Sequence, residues 1–109
     1  MRKPPRVYVL GSSHFMHEMV ACSVKLKVHY SHILSSDAIL FVNAEKNGKK
    51  NYVGGNVLIE MGQSYVNDKP IFLLYDLPKD SPYIDEIESM DPIPLHGKLE
   101  NIKQYLPLD

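Results

Sequence analysis

The stretch Asn51–Gly62, NYVGGNVLIEMG, decides how this chain is read. It follows an apolar, strand-like run at Ala38–Val42 and a polar loop, and it opens an amphipathic helix. Gly54 and Gly55 carry no Cβ, so the backbone there can approach a ligand closely. Asn56 is a good N-cap, and the free N–H groups of the first turn are expected to point into the glycine-lined space. One turn further on sits Glu60. A carboxylate just beyond a glycine-rich helix entry, after a strand, is well placed to meet a small ligand. A nucleotide or sugar site is the leading expectation.

Outward from this stretch, short apolar runs alternate with helical patterns. Val7–Leu10 reads as a buried strand entering the turn Gly11-Ser12-Ser13, and Ser12 or Ser13 can cap a helix running to about Cys22. Residues 24–30 fit two periods. Val24, Leu26, Val28 and Tyr30 alternate as in a strand, whereas Leu26, Tyr30, Ile33 and Leu34 form a helical stripe. Ala38–Val42 is a second strand and Ile71–Tyr75 a third. The helix from Asn56 to about Asn67 is expected to bury Val57, Leu58, Met61 and Tyr65 and to stop at Asp68-Lys69-Pro70. Tyr83–Met90 reads as a short helix, Pro92–Leu95 as an edge segment because of its prolines, and Lys98–Tyr105 as a closing helix.

This alternation argues for an α/β sandwich around a small, mainly parallel sheet. Ligands in such folds bind beyond the carboxyl ends of the strands, near the point where strand order reverses. Gly11 and the long loop Asn43–Gly55 both lie at strand carboxyl ends. Gly11, Ser12, Gly54, Gly55 and Asn56 are therefore the candidate ligand contacts, with Tyr8 and Asp37 close to the same crevice.

Composition bounds the function. The 109 residues, 44% hydrophobic and 23% charged, make one globular domain, 1–109, with a single core. A net charge of −1 gives no general drive toward a nucleic acid polymer. The one basic cluster inside the domain, Lys46, Lys49 and Lys50, shares its loop with Asn47 and Gly48. A single cysteine, Cys22, excludes an internal disulfide and suits a reducing compartment. No apolar run is long enough to span a membrane and no signal peptide is visible, so a cytoplasmic protein is expected.

At these residues the chain resembles the nucleoside 2-deoxyribosyltransferase family and the related 2′-deoxynucleoside 5′-phosphate N-hydrolases. Three matches carry the resemblance: VYVLGS at the first strand, SDAILFVN at the second, and GGNVLIEMGQSYVNDKPIFLL across the helix and the third strand. The likeness is nearly continuous from Tyr30 to Leu99. It implies a flavodoxin-like, Rossmann-like three-layer fold. It also implies that Glu60 is the nucleophile, that Asp37 handles the base or its proton, and that Tyr8 lies beside the nucleophile. The implied reaction is attack of the glutamate on C1′ of a deoxyribose as the base leaves, followed by transfer to a second base or to water. No cofactor is implied. Members commonly form homo-oligomers, so a homodimer or larger assembly is expected.

Two departures mark this chain as a short variant. The family pattern D-x-G-x-x-x-E would place aspartate where Gly54 stands and glycine where Asn56 stands. In addition, only 28 residues separate Leu10 from Ile39, so the second strand-helix unit of the fold is expected to be reduced or absent, with residues 27–35 helical. The alternative function is a catalytically silent nucleotide-binding module of the same fold.

Plainer readings stand beside each of these. Asn56, Glu60, Gln63 and Asn67 share one helical face, which is the outside if Glu60 is a solvated residue. Tyr8 can simply pack, and Asp37 can simply shape its turn. His14 and His17, and His29 and His32, have helical i, i+3 spacing near Cys22, but without a recognised ligand pattern no metal site is assigned.

Overall fold

The structure is a computed structural model that describes residues 4–11 and 22–106. The elements run β1 (Val7–Gly11), α1 (Cys22–Ser35), β2 (Ala38–Val42), α2 (Gly55–Val66), β3 (Ile71–Leu73), α3 (Ile84–Ser89), β4 (Ile93–Pro94) and a C-terminal 3₁₀ helix (Leu99–Gln104). The four strands form one sheet in the order β1-β2-β3-β4, with every neighbouring pair parallel. The expected helix from Ser12 or Ser13 lies almost wholly outside the described residues.

Each strand pairs with the next one in the chain, and crossovers of one hand place the helices that make them on one face. Ile33 of α1, Met61 of α2 and Ile87 of α3 accordingly share a buried cluster with Leu10, Ile39, Phe41, Ile71 and Leu73. The alternate strand positions Ala38, Leu40 and Phe72 face the other way, where Leu95 and Ile102 pack on them. Tyr105 closes edge-on against Phe72 at 5.6 Å. The molecule is thus a helical layer, a parallel sheet and a thin third layer around the 3₁₀ helix.

A flavodoxin-like sheet has the order 2-1-3-4-5. Removing its second strand leaves 1-3-4-5, which is the order found here. The fold is flavodoxin-like, with the second strand-helix unit absent from the sheet among the described residues, and two consequences follow. The sheet contains no reversal of strand order, so the carboxyl ends of the strands alone mark where ligands are expected. And β1 becomes an edge strand, with Val9 55% exposed.

The ambiguous segment 24–30 is helical and lies within α1. Among its described side chains the inward side is built on Leu26, His29 and Ile33, of which only Ile33 is fully buried; Tyr30 and Leu34 are exposed. The strand alternation there reflects the chance spacing of four apolar residues. In α2 three expectations are corrected. Asn56 is not the N-cap; Gly54 is, in an extended conformation, and Asn56 falls within the first turn. Tyr65 is 51% exposed, whereas Glu60, Met61 and Ser64 are the buried residues. The polar face is therefore not the outside, because α1 packs along it. The predicted stop holds: Asp68 takes a left-handed φ of 57°, and its N–H and that of Lys69 return to the carbonyls of Tyr65 and Ser64.

Strand β3 ends at Leu73 rather than Tyr75. Beyond it the ladder is replaced by a side chain. Buried Asn43, just past β2, accepts a hydrogen bond from the Tyr75 N–H at 2.9 Å and donates from Nδ2 to the Asp76 carbonyl at 2.9 Å.

Candidate functional site

Glu60 lies in the second turn of α2 and is only 3% exposed. A buried carboxylate needs partners, since losing water costs far more than one hydrogen bond returns. The partner here comes from α1: Nδ1–H of His29 donates to Oε2 of Glu60. The inward line of α1 that carries Leu26 and Ile33 also carries His29, so the packing that buries the helix delivers the imidazole to the carboxylate.

Tyr8 completes the group from β1. Its ring stacks on His32 at 4.9 Å and 21°, and meets His29 edge-on at 6.1 Å. Burial, and secondarily the negative charge of Glu60, raise the Tyr8 hydroxyl above its ordinary value of 10.0. Three elements, β1, α1 and α2, thus converge on one cluster of an acid, two imidazoles and a phenol. One turn beyond Glu60, Oε1 of Gln63 is buried with no hydrogen-bond partner among the described residues. An orphaned buried acceptor is uncommon and calls for a donor.

The other candidates are dispersed. Asp37 precedes β2 at the amino end of the sheet, where its Oδ2 accepts from the Arg6 N–H at 2.8 Å. Gly54, Gly55 and Asn56 follow β2 at the carboxyl end, the opposite side of the strand. Gly11 closes β1 opposite Val42, and a Cβ there would make only ordinary contact. Ser12, His14 and His17 lie outside the described residues.

Gly54 is explained by its neighbour. A Cβ at this position would stand 3.2 Å from Cε2 of Tyr52, so the glycine makes room for the tyrosine ring. An aspartate here would have to displace that ring. Gly55 has open space around it.

His29 and His32 were visible in the sequence only as an i, i+3 pair. What the spacing could not reveal is that their helix face turns toward Glu60 and Tyr8 rather than toward a third ligand. Among the described residues no group of three or more His, Cys, Asp and Glu side chains is disposed to hold a metal ion. No helix among them is long and apolar enough to cross a membrane.

Comparisons of the chain with family models, with curated proteins and with solved structures return no match. The functional reading therefore rests on the chemistry of this cluster and on the residues that carry the resemblance.

Proposed function

We propose that the protein binds a nucleoside or nucleotide and cleaves or transfers its N-glycosidic bond, with Glu60 as the nucleophile. The single observation that carries this reading is the buried Glu60 carboxylate held by His29 beside Tyr8. A solvated helix residue has no reason to be covered by a neighbouring helix and hydrogen-bonded there. A carboxylate held in one orientation suits attack on an anomeric carbon, and burial raises the reactivity of a charge that water would otherwise screen. Gln63 supports the same reading, because a sugar hydroxyl or a base N–H would satisfy its orphaned oxygen.

The leaving base must receive a proton. The resemblance assigns that task to Asp37, and His29 is the group in direct contact with the nucleophile. Tyr8 orients the pair through its ring contacts. Gly11, Ser12 and the Gly54–Asn56 entry are the proposed substrate contacts. The protein works on small molecules in the cytoplasm, as a homo-oligomer and without a cofactor.

A specific observation favours the alternative of a silent binding module. Gly54 leaves the family's second carboxylate without an owner, and Tyr52 fills that space. One experiment separates the readings. Purified protein is incubated with deoxynucleosides and with their 5′-monophosphates, with and without a second free base, and the products are resolved by chromatography. Base exchange identifies a transferase and free base alone a hydrolase. Saturable binding without turnover identifies the module, and neither binding nor turnover overturns both.

A further inference from the structure

A second candidate site lies away from the Glu60 cluster, beyond the carboxyl ends of β3 and β4. A groove of about 1010 Å³ opens there between the loop that leads into α2 and the segment 76–83 that leads into α3. None of Tyr8, His29, His32 or Glu60 lines it. Its size suits a small organic molecule, and carboxyl-end clefts are where α/β sheets take their ligands.

The groove is built rather than left over. Asn43 clamps the backbone of Tyr75 and Asp76 where the β3 ladder stops. At the groove's exposed side Oδ1 of Asp76 accepts Nδ1–H of His96 at 2.5 Å. With Nδ1 committed, Nε2 is the nitrogen that remains to meet a ligand. The backbone of His96 is left-handed at φ 57°, as is that of Asn51 at φ 56° across the groove. Side chains other than glycine adopt this conformation at a cost, and such residues gather at functional sites.

The lining has a definite chemistry. Tyr52 and Tyr83 line the groove together with Lys49, Lys50 and Lys79, and Lys46 Nζ lies 5.4 Å from the centre of the Tyr52 ring. An Asn47-Gly48 turn, at φ 52° and 78°, folds the loop into a tight hairpin whose arms exchange hydrogen bonds between Lys46 and Lys49. The hairpin presents Lys49 and Lys50 on a defined backbone rather than on a wandering loop. Three lysines and two aspartates, Asp76 and Asp80, line the groove, and His96 already engages Asp76.

We propose that this groove is a second ligand site for a small ring-bearing anion, a phosphate or carboxylate attached to a flat ring. The ring lies against the tyrosines, the anion meets the lysines, and His96 held by Asp76 supplies a polar contact. The assignment is independent of any reaction at Glu60.

The test is an NMR titration of the full chain with phenyl phosphate, with inorganic phosphate and phenol as separate probes. Expected are saturable shifts at residues 48–52, 76–83 and His96, with phenyl phosphate binding at least tenfold more tightly than either half. Lys49→Ala or Lys79→Ala should each weaken binding about threefold, as befits a partly exposed ion contact. His96→Asn tolerates the left-handed backbone yet removes the imidazole, and should weaken binding while leaving the melting temperature nearly unchanged. Glu60→Gln should leave this binding unaltered. No saturation at millimolar phenyl phosphate, or shifts at Tyr8 and His29 in place of the groove, would overturn the proposal. Equal affinity for phenyl phosphate and inorganic phosphate would overturn the ring component.

Discussion

A carboxylate behaves differently when another side chain holds it, and in the proposed reaction Glu60 is the residue where that distinction matters. Glu60→Gln keeps the shape and an acceptor for His29, so the fold should persist while glycosyl chemistry falls to background. Product analysis beside a melting curve checks both halves. Glu60→Ala is a harsher change: it leaves the His29 donor without its acceptor and should cost about 1–3 kcal/mol in denaturant unfolding. His29→Gln should lower turnover about 100-fold if it moves the proton, more than Asp37→Asn, whose amide can still accept from Arg6. The reverse order would return the role to Asp37. Tyr8 gives a prediction at alkaline pH. Its hydroxyl is raised in the folded protein, so between the unfolded and folded values the native state holds more protons. Its contribution to stability is complete below pH 10, the ordinary value of the hydroxyl, and is lost as pH rises through the folded value. Tyr8→Phe should therefore flatten the alkaline limb of a stability-against-pH curve. Glu60 stood out as a candidate in the sequence from its place after the glycines, but its burial and its His29 partner were not legible there. A contact between two helices separated by a strand depends on how each is rotated, and i, i+3 spacing does not specify rotation.

At the scale of the element, legibility follows burial. β2 reads AILFV and is apolar on both faces, so its period needs no interpretation and its bounds were plain. α1 was ambiguous because only Ile33 is fully buried among its described side chains, and a helix with so narrow an apolar stripe leaves a weak signature. The N-terminus of α2 was misread by two residues. Asn56 has the side chain of a cap, but Tyr52 packs against Gly54 and helical geometry starts straight after it. This yields two substitutions with opposite signs. Gly62 lies in the interior of α2 and a Cβ there would meet nothing within 4 Å. Gly62→Ala should stabilise the protein by about 0.5–1 kcal/mol through helix propensity, measured as a shifted denaturant midpoint at constant slope. Gly54→Asp would introduce the aspartate of the family that the chain resembles, with its Cβ about 3.2 Å from Cε2 of Tyr52. It should destabilise the fold, and pairing it with Tyr52→Ala should recover part of the loss. Additivity of the two single effects would show that the ring is not what excludes a side chain at position 54.

At the scale of the molecule, the strand-helix unit that the described residues lack matters more than any single residue. In the full five-stranded order the first strand is flanked on both sides; here β1 pairs with β2 alone among the described strands. Among the described residues no strand pairs with its far edge, and open edges are templates for a further strand. The face of the sheet away from the helices is also thinly covered at this end. The 3₁₀ helix contacts the region of Leu40, Phe72 and Leu95, while Val9 remains 55% exposed and Val7 half-buried. A second copy docking along β1 would pair the edge and cover Val9 in one step, close to the Tyr8 side of the Glu60 cluster. We therefore expect a homodimer joined through β1. Sedimentation or light scattering at micromolar concentration should give twice the chain mass. Val9→Lys should return it to the monomer without unfolding it, because a lysine at an exposed edge position obstructs pairing but displaces nothing from the core. If the sites are completed across the dimer, the same variant should lower activity at Glu60 while leaving the β3–β4 groove unchanged. A monomeric parent protein, or a Val9→Lys variant that stays dimeric, would remove β1 as the interface.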